Sequence, residues 1–212
     1  MDSELLNIFN KNKEPIGVAT RGDVHKYGYW HEAFHCWFIC TENNIEYIYF
    51  QLRSEHKQDY PNLLDITSAG HLLSNETAED GIREVKEETG IDVSIHELIP
   101  LGVIEYVVTN SKIIDKEFAH VYLHKYNGYL DEFLLQREEV SGMFMARFDD
   151  FYELVVNRKN LIDVQGFVID SNGNKHNVIK VVGRDEFVPH PENFYELLVH
   201  QIKDVFENIS KR

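Results

Sequence analysis

Strand-like and helix-like segments follow one another in irregular order along this chain, and that order is what most limits its fold. β-Branched and aromatic residues gather between turn formers at about residues 14–20, 33–40, 45–53, 98–108, 117–126 and 139–147, and each run reads as a strand. Apolar residues recur at helical spacing over 77–89, 148–157 and 192–209. The last of these carries a stripe near 194, 197, 198, 202, 205 and 206 that suits core packing. Before it, the runs Leu161–Asp170 and Asn177–Val182 flank Ser171-Asn172-Gly173-Asn174, a turn signal that predicts a β-hairpin. Regular strand and helix alternation would favour a doubly wound parallel sheet. The irregular order predicts a mixed-sheet α/β or α+β sandwich.

No Pro/Gly/Ser-rich linker divides the 212 residues, so one domain is expected, with a core over about 14–157 and a C-terminal hairpin and helix over about 158–212. With 36 acidic against 21 basic residues the net charge is −15, which repels a polyphosphate backbone and argues against a nucleic acid polymer as partner. A small anionic substrate stays compatible, because a divalent cation and a few local Arg or Lys side chains can reverse the potential in one cleft. The start, MDSELLNIFNKNKE, lacks the basic and apolar regions of a signal peptide, and no run of 18 apolar residues occurs, so a cytoplasmic protein without a membrane span is expected. Cys36 and Cys40 stand four apart in an apolar, aromatic run and are expected as buried thiols.

The helix predicted over 77–89 carries the chemistry. Thr77 followed by Asp80 resembles a capping box, and Gly90 suits the end of the helix. Glu84, Glu87 and Glu88, at three- and four-residue spacing, share one side, while Ile82, Val85 and Thr89 take another suited to the core. Like charges so placed destabilise an isolated helix by roughly 0.2–0.5 kcal/mol per pair, which Arg83 and Lys86 offset only in part. A hard divalent cation with oxygen ligands would compensate, although the spacing alone is more often that of a solvated acidic face.

The wider run from Gly70 through Glu76 and Arg83-Glu84-Val85-Lys86-Glu87-Glu88-Thr89-Gly90-Ile91 resembles the signature of the Nudix hydrolase family, G-x5-E-x7-R-E-U-x-E-E-x-G-U with U aliphatic. Every specified residue is present. The departure is that six residues, not seven, separate Glu76 from Arg83, which bears on the role of Glu76 alone. The resemblance implies a Nudix-type α/β/α sandwich with a mixed β-sheet and Mg²⁺ or Mn²⁺ as cofactor. It implies Glu84, Glu87, Glu88 and the Gly70 carbonyl as metal ligands, with Arg83 orienting the glutamates.

A second set, His25, His31, Arg53, Lys57, Gly70-His71, Tyr106, Asp115 and Glu117, is similar to that of type I isopentenyl diphosphate isomerases, relatives within the same fold. That resemblance implies a metal site of His25, His31, His71, Asp115 and Glu117, and contacts from Arg53 and Lys57 to a diphosphate. The isomerases carry an essential cysteine just before the Gly-His pair, where this chain has Ala69, and a C-terminal tryptophan, whereas Trp30 and Trp37 are both N-terminal. The tail Asp185-Glu186-Phe187-Val188-Pro189-His190-Pro191 looks like that of isomerase-related bacterial Nudix hydrolases. The expectation is therefore metal-dependent hydrolysis of a diphosphate bond in a small nucleoside diphosphate-linked or related compound. The alternatives are isomerisation or non-catalytic ligand binding. Glu117 is a candidate ligand or base, Glu138 or Glu139, entering a predicted strand after a loop, are weaker candidate bases, and Tyr106 is a strand-packing residue whose hydroxyl could face the cleft. A homodimer follows by resemblance.

Overall fold

The computed structural model describes residues 3–109 and 114–210. In chain order the elements are β1 (Leu5–Phe9), β2 (Pro15–Thr20), α1 (Arg21–Tyr27), β3 (Trp30–Glu42), β4 (Ile45–Arg53), β5 (Leu64–Asp65), β6 (Ser68–His71), α2 (Arg83–Thr89), β7 (Leu98–Thr109), β8 (Ile114–Lys125), β9 (Val140–Arg147), α3 (Phe148–Val155), β10 (Ile162–Ile169), β11 (Lys175–Val182) and α4 (Glu192–Ser210).

Period-two alternation writes the sheet. β3 sends Phe34, Cys36, Phe38 and Cys40 to one face and Trp37 and Ile39 to the other. β4 divides Tyr49 from Ile48 and Phe50, and β9 divides Met143 and Met145 from Phe144 and Ala146, in the same sense. Val85 of α2 packs on the first face, whereas Phe148, Phe151, Phe194, Leu198, Ile202 and Phe206 of α3 and α4 pack on the second. Helices thus cover both faces, as the α/β/α sandwich requires. Cys36 and Cys40 are buried free thiols, and Cys40 Sγ accepts from the Tyr49 hydroxyl at 3.4 Å.

Strands run β11-β10-β9-β4-β3-β1-β2, with β8 pairing parallel to β3 and antiparallel to β7. β3 changes partner along its length, from β4 at Ile39–Glu42 to β6 at Ala33–Cys36 and β1 at Trp30. β4 meanwhile turns to β5. This splay between β3 and β4 opens the cavity described below.

Three expectations need correction. Of the helix expected over 77–89 only Arg83–Thr89 is α-helical, preceded by a 3₁₀ turn at Asp80–Ile82. The chain must pass close to β3 there, where a Cβ on Gly81 would stand 2.5 Å from the Phe34 Cβ and 2.7 Å from Leu72 Cδ2. Of the proposed capping box only the Asp80 half forms: its carboxylate accepts from the Thr77 N–H and hydroxyl, both at 2.8 Å, while the Asp80 N–H donates to the Thr77 carbonyl at 3.1 Å and not to its hydroxyl. Leu197, assigned to the core stripe of α4, is exposed, and Tyr195 and Val199 are buried beside the stripe instead. The pattern reading also passed over β1, α1, β5 and β6. Among the described residues no helix is long and apolar enough to cross a membrane.

Candidate active site

A cavity of about 310 Å³ lies where β3 and β4 part, under the edge of α2. Its first wall is α2 laid across β6. Glu88 is buried and accepts from the Ala69 N–H at 3.0 Å, and burial together with the charge of Glu84 pushes its carboxyl up to about 8. Burial raises Glu84 as well, against the pull of Arg83. Glu84 rests on Gly70 so closely that a Cβ there would stand 2.7 Å from its Cγ and nearer still to the carboxylate. Glycine at this position leaves room for the carboxylate where it stands. Glu87 stands at the rim, its side chain 53% exposed.

Arg83 ties these groups together. Nη1 donates to Glu84 Oε1 at 2.5 Å and to Glu87 Oε2 at 3.2 Å, and Nη2 donates to the His71 carbonyl at 3.1 Å. Its other edge grips Glu76, with Nε 2.5 Å from Oε1 and Nη2 3.0 Å from Oε2, while Glu76 also accepts from the Leu73 N–H at 2.8 Å. The six-residue spacing therefore keeps Glu76 in place.

The second wall gathers the histidines. His25 lies in the last turn of α1, which Thr20 caps by accepting from the Asp23 N–H and which closes at Gly28 with φ 67°. His31 opens β3, His71 ends β6, and Asp115 and Glu117 share one face of β8. Ligand atoms of His25, His31 and His71 lie within 4.8 Å of one another, as do those of His31, Asp115 and Glu117. His31 Nε2 is 3.6 Å from Asp115 Oδ1, and both atoms are buried without a hydrogen-bond partner. Burial lowers His31 to about 3 and brings His71 well below its ordinary value, while it pushes Glu117 up to about 7 and raises Asp115. Such a set is held in its neutral, cation-binding state on the imidazole side and lacks a positive charge on the carboxylate side.

His35 joins this wall and was not foreseen. Its Nε2 lies 3.3 Å from Glu117 Oε2. The spacing of His31, Ala33 and His35 on one strand face carried that signal.

The third wall holds the basic residues. Lys57 is ion-paired with Glu139, and both line the cavity. Of the five N–H donors of Arg53, three are committed: Nε and Nη2 to the Asp59 carbonyl at 3.1 and 2.8 Å, and Nη1 to Asp65 Oδ2 at 2.8 Å. Glu138 is exposed and does not line the cavity, unlike Glu139. Tyr106 lines the cavity beside His190, which lies in the tail over residues 185–191 but to which the sequence assigns no role at the site.

A carboxylate-bearing helix laid over a glycine at the split edge of a mixed sheet places the chain in one class of fold and site. The family model of the NUDIX domain matches residues 22–164, and the chain belongs to that family. It is 36% identical to an uncharacterized Nudix hydrolase of Clostridium acetobutylicum, over 96% of this chain and 99% of the relative. It is 26% identical to isopentenyl-diphosphate Delta-isomerase 2 of Photorhabdus laumondii, over 65% of this chain and 74% of that enzyme. A crystal structure from Deinococcus radiodurans shares the fold, with TM-score 0.56 and 21% identity, over 73% of this chain and 90% of that one.

Proposed function

We propose that this Nudix hydrolase cleaves the diphosphate bond of a small nucleoside diphosphate-linked or related compound with Mg²⁺ or Mn²⁺ as cofactor. The observation that carries the proposal is the placement of Glu84, half-buried against Gly70, on the same helix as the buried Glu88, which accepts from the Ala69 N–H. Two neighbouring carboxyls withdrawn from water, both raised by burial, are costly unless a cation supplies the missing charge. The donor set is all oxygen and suits a hard divalent ion: Glu84, Glu87, Glu88 and the Gly70 carbonyl. When bound, that ion neutralises phosphate oxygens and makes a bound water more acidic.

The residues of the chain do the rest. Arg83, anchored by Glu76, orients Glu84 and Glu87. Lys57 and the two uncommitted donors of Arg53 meet the diphosphate. Glu139 or Glu117 takes the proton of the attacking water. His25, His31, His71 and Asp115, with Glu117, form a second cation site. Ala69 has no proton to give to carbon, which speaks against isomerisation. We take residues 1–212 as one catalytic domain, cytoplasmic and homodimeric.

The test is a panel of nucleotide sugars, dinucleoside polyphosphates, nucleotides and prenyl diphosphates with and without chelator, products identified by mass. Release of a monophosphate that requires the metal supports hydrolysis. Recovery of an isomerised diphosphate, or binding without turnover, would point to the two other readings.

A further inference from the structure

The loop that carries Lys57 also carries an aromatic ring to which the hydrolytic reading gives no part. It runs from the end of β4 to β5 and is closed at its base, where the Arg53 N–H donates to the Leu63 carbonyl at 3.0 Å and the Asn62 N–H to the Arg53 carbonyl at 3.1 Å. The Arg53 side chain folds back inside it, and Nε and Nη2 hold the Asp59 carbonyl at 3.1 and 2.8 Å. Tyr60 follows at φ 50°, then Pro61, then Asn62 at φ 62°. Asparagine takes left-handed backbone readily. For a bulky tyrosine it is an outlier, and the proline that follows crowds the residue before it further. Such conformations persist only where the surroundings enforce them, and they gather at ligand clamps. Here Arg53 pins the residue before Tyr60, and the closed base of the loop pins the residue after Pro61.

The enforced backbone places the ring in the cavity wall. Tyr60 lines the cavity and is half-buried, yet among the described residues its ring meets no other ring and its hydroxyl has no hydrogen-bond partner. Tyr106, across the same cavity, is in contrast buried and packed among the rings of His35, His190 and Phe194. Tyr60 therefore offers an uncommitted aromatic face three residues from Lys57. The rest of the wall decides what that face can take. Larger apolar side chains stand there at Ile66, Leu73 and Val188, of which Ile66 and Val188 are almost wholly covered, and most of the other lining groups are charged or polar. An apolar chain would leave water for a wall with little apolar surface to meet it. A flat heterocycle needs only a ring for its face and polar groups for its edges.

We propose that Tyr60 is the platform on which the base of a nucleoside diphosphate compound stacks, and that Arg53 acts twice, on the diphosphate and on the loop that presents the ring. This deepens the hydrolase reading and rests on it for the site of the diphosphate. Stacking tolerates any base, so purine and pyrimidine compounds share the platform, and it corresponds to about 5- to 150-fold in affinity.

Calorimetry in Mg²⁺ measures Kd for ADP, UDP, isopentenyl diphosphate and inorganic pyrophosphate with wild type, Tyr60→Ala, Tyr60→Gly, Tyr60→Phe and Tyr60→Trp. ADP and UDP should bind wild type in preference to the other two. Tyr60→Ala should weaken ADP and UDP by about 5- to 150-fold and leave pyrophosphate nearly unchanged. Tyr60→Gly should lose the same binding while its melting temperature holds or rises, since glycine takes left-handed backbone without strain. Tyr60→Phe, which keeps the ring, should recover most of the loss, and the indole of Tyr60→Trp should be quenched by ADP and not by pyrophosphate. An equal loss for ADP and pyrophosphate, or a preference of wild type for isopentenyl diphosphate over ADP, would overturn the proposal. ADP bound through Tyr60 by a protein that hydrolyses no diphosphate would sink the hydrolase reading and uphold the platform.

Discussion

Gly70→Ala separates a role in folding from a role in catalysis at one atom. The new Cβ would stand 2.7 Å from Glu84 Cγ and closer to its carboxyl carbon and oxygen, with no backbone atom among its nearest neighbours. Restoring ordinary contact at about 3.5 Å requires the carboxylate to withdraw by about 1.4 Å. The end of a flexible side chain can do that at little cost. The alanine also reduces the freedom of the unfolded chain, which favours the folded state by about 0.4–1 kcal/mol. The melting temperature should therefore hold or rise slightly. A catalytic group displaced by ~1 Å, in contrast, can cost about 10²-fold in rate, or roughly 2.7 kcal/mol in barrier. Circular dichroism melting and Mg²⁺ titration of kcat/KM measure the two effects. Full activity in a stably folded Gly70→Ala protein would refute the placement of Glu84 as a ligand over this glycine.

Glu88 should make the metal-free protein sensitive to alkaline pH. Its carboxyl is pushed up to about 8, so the folded state holds a proton that the unfolded chain releases. Stability is complete below the unfolded carboxylate range near ~4.3 and should fall as pH rises towards 8. Mg²⁺ should restore it, and Glu88→Gln should flatten the decline in melting temperature with pH while abolishing turnover. Glu76→Ala frees one edge of the Arg83 guanidinium and should lower Mg²⁺ affinity or activity about 10–100-fold, read by calorimetry and kinetics. His31→Asn should reduce bound Mn²⁺, counted by metal analysis and anomalous scattering, without removing the ion held by Glu84 and Glu88. An unchanged metal count would exclude the histidine cluster as a cation site.

The strands that build the cavity were legible because burial on both faces prints itself as an unbroken apolar and aromatic run, as over residues 33–40 of β3. β1, with only Leu6 and Ile8 inward, alternates over just five residues and was missed. α1 offered only short signals, a Thr20–Asp23 cap and Gly28, yet it delivers His25 to the site. The start of α2 was misjudged because spacing fixes the face of a helix and not where it begins; the packing of Gly81 against Phe34 decides that. Arg83 to Glu88 could be read because a single helical register brings them together. Tyr106, Asp65 and His190 meet across 84 and 125 residues, and no local pattern encodes such a meeting.

The most direct test of a carboxylate-held cation as the catalytic centre is calorimetric titration of Mg²⁺ or Mn²⁺ into wild type, Glu84→Gln and Glu88→Gln, paired with turnover of one hydrolysed diphosphate. Each substitution should leave the protein folded, weaken metal binding and remove turnover together. A Glu84→Gln protein that binds the metal as wild type does and still hydrolyses the substrate at full rate would contradict the assignment.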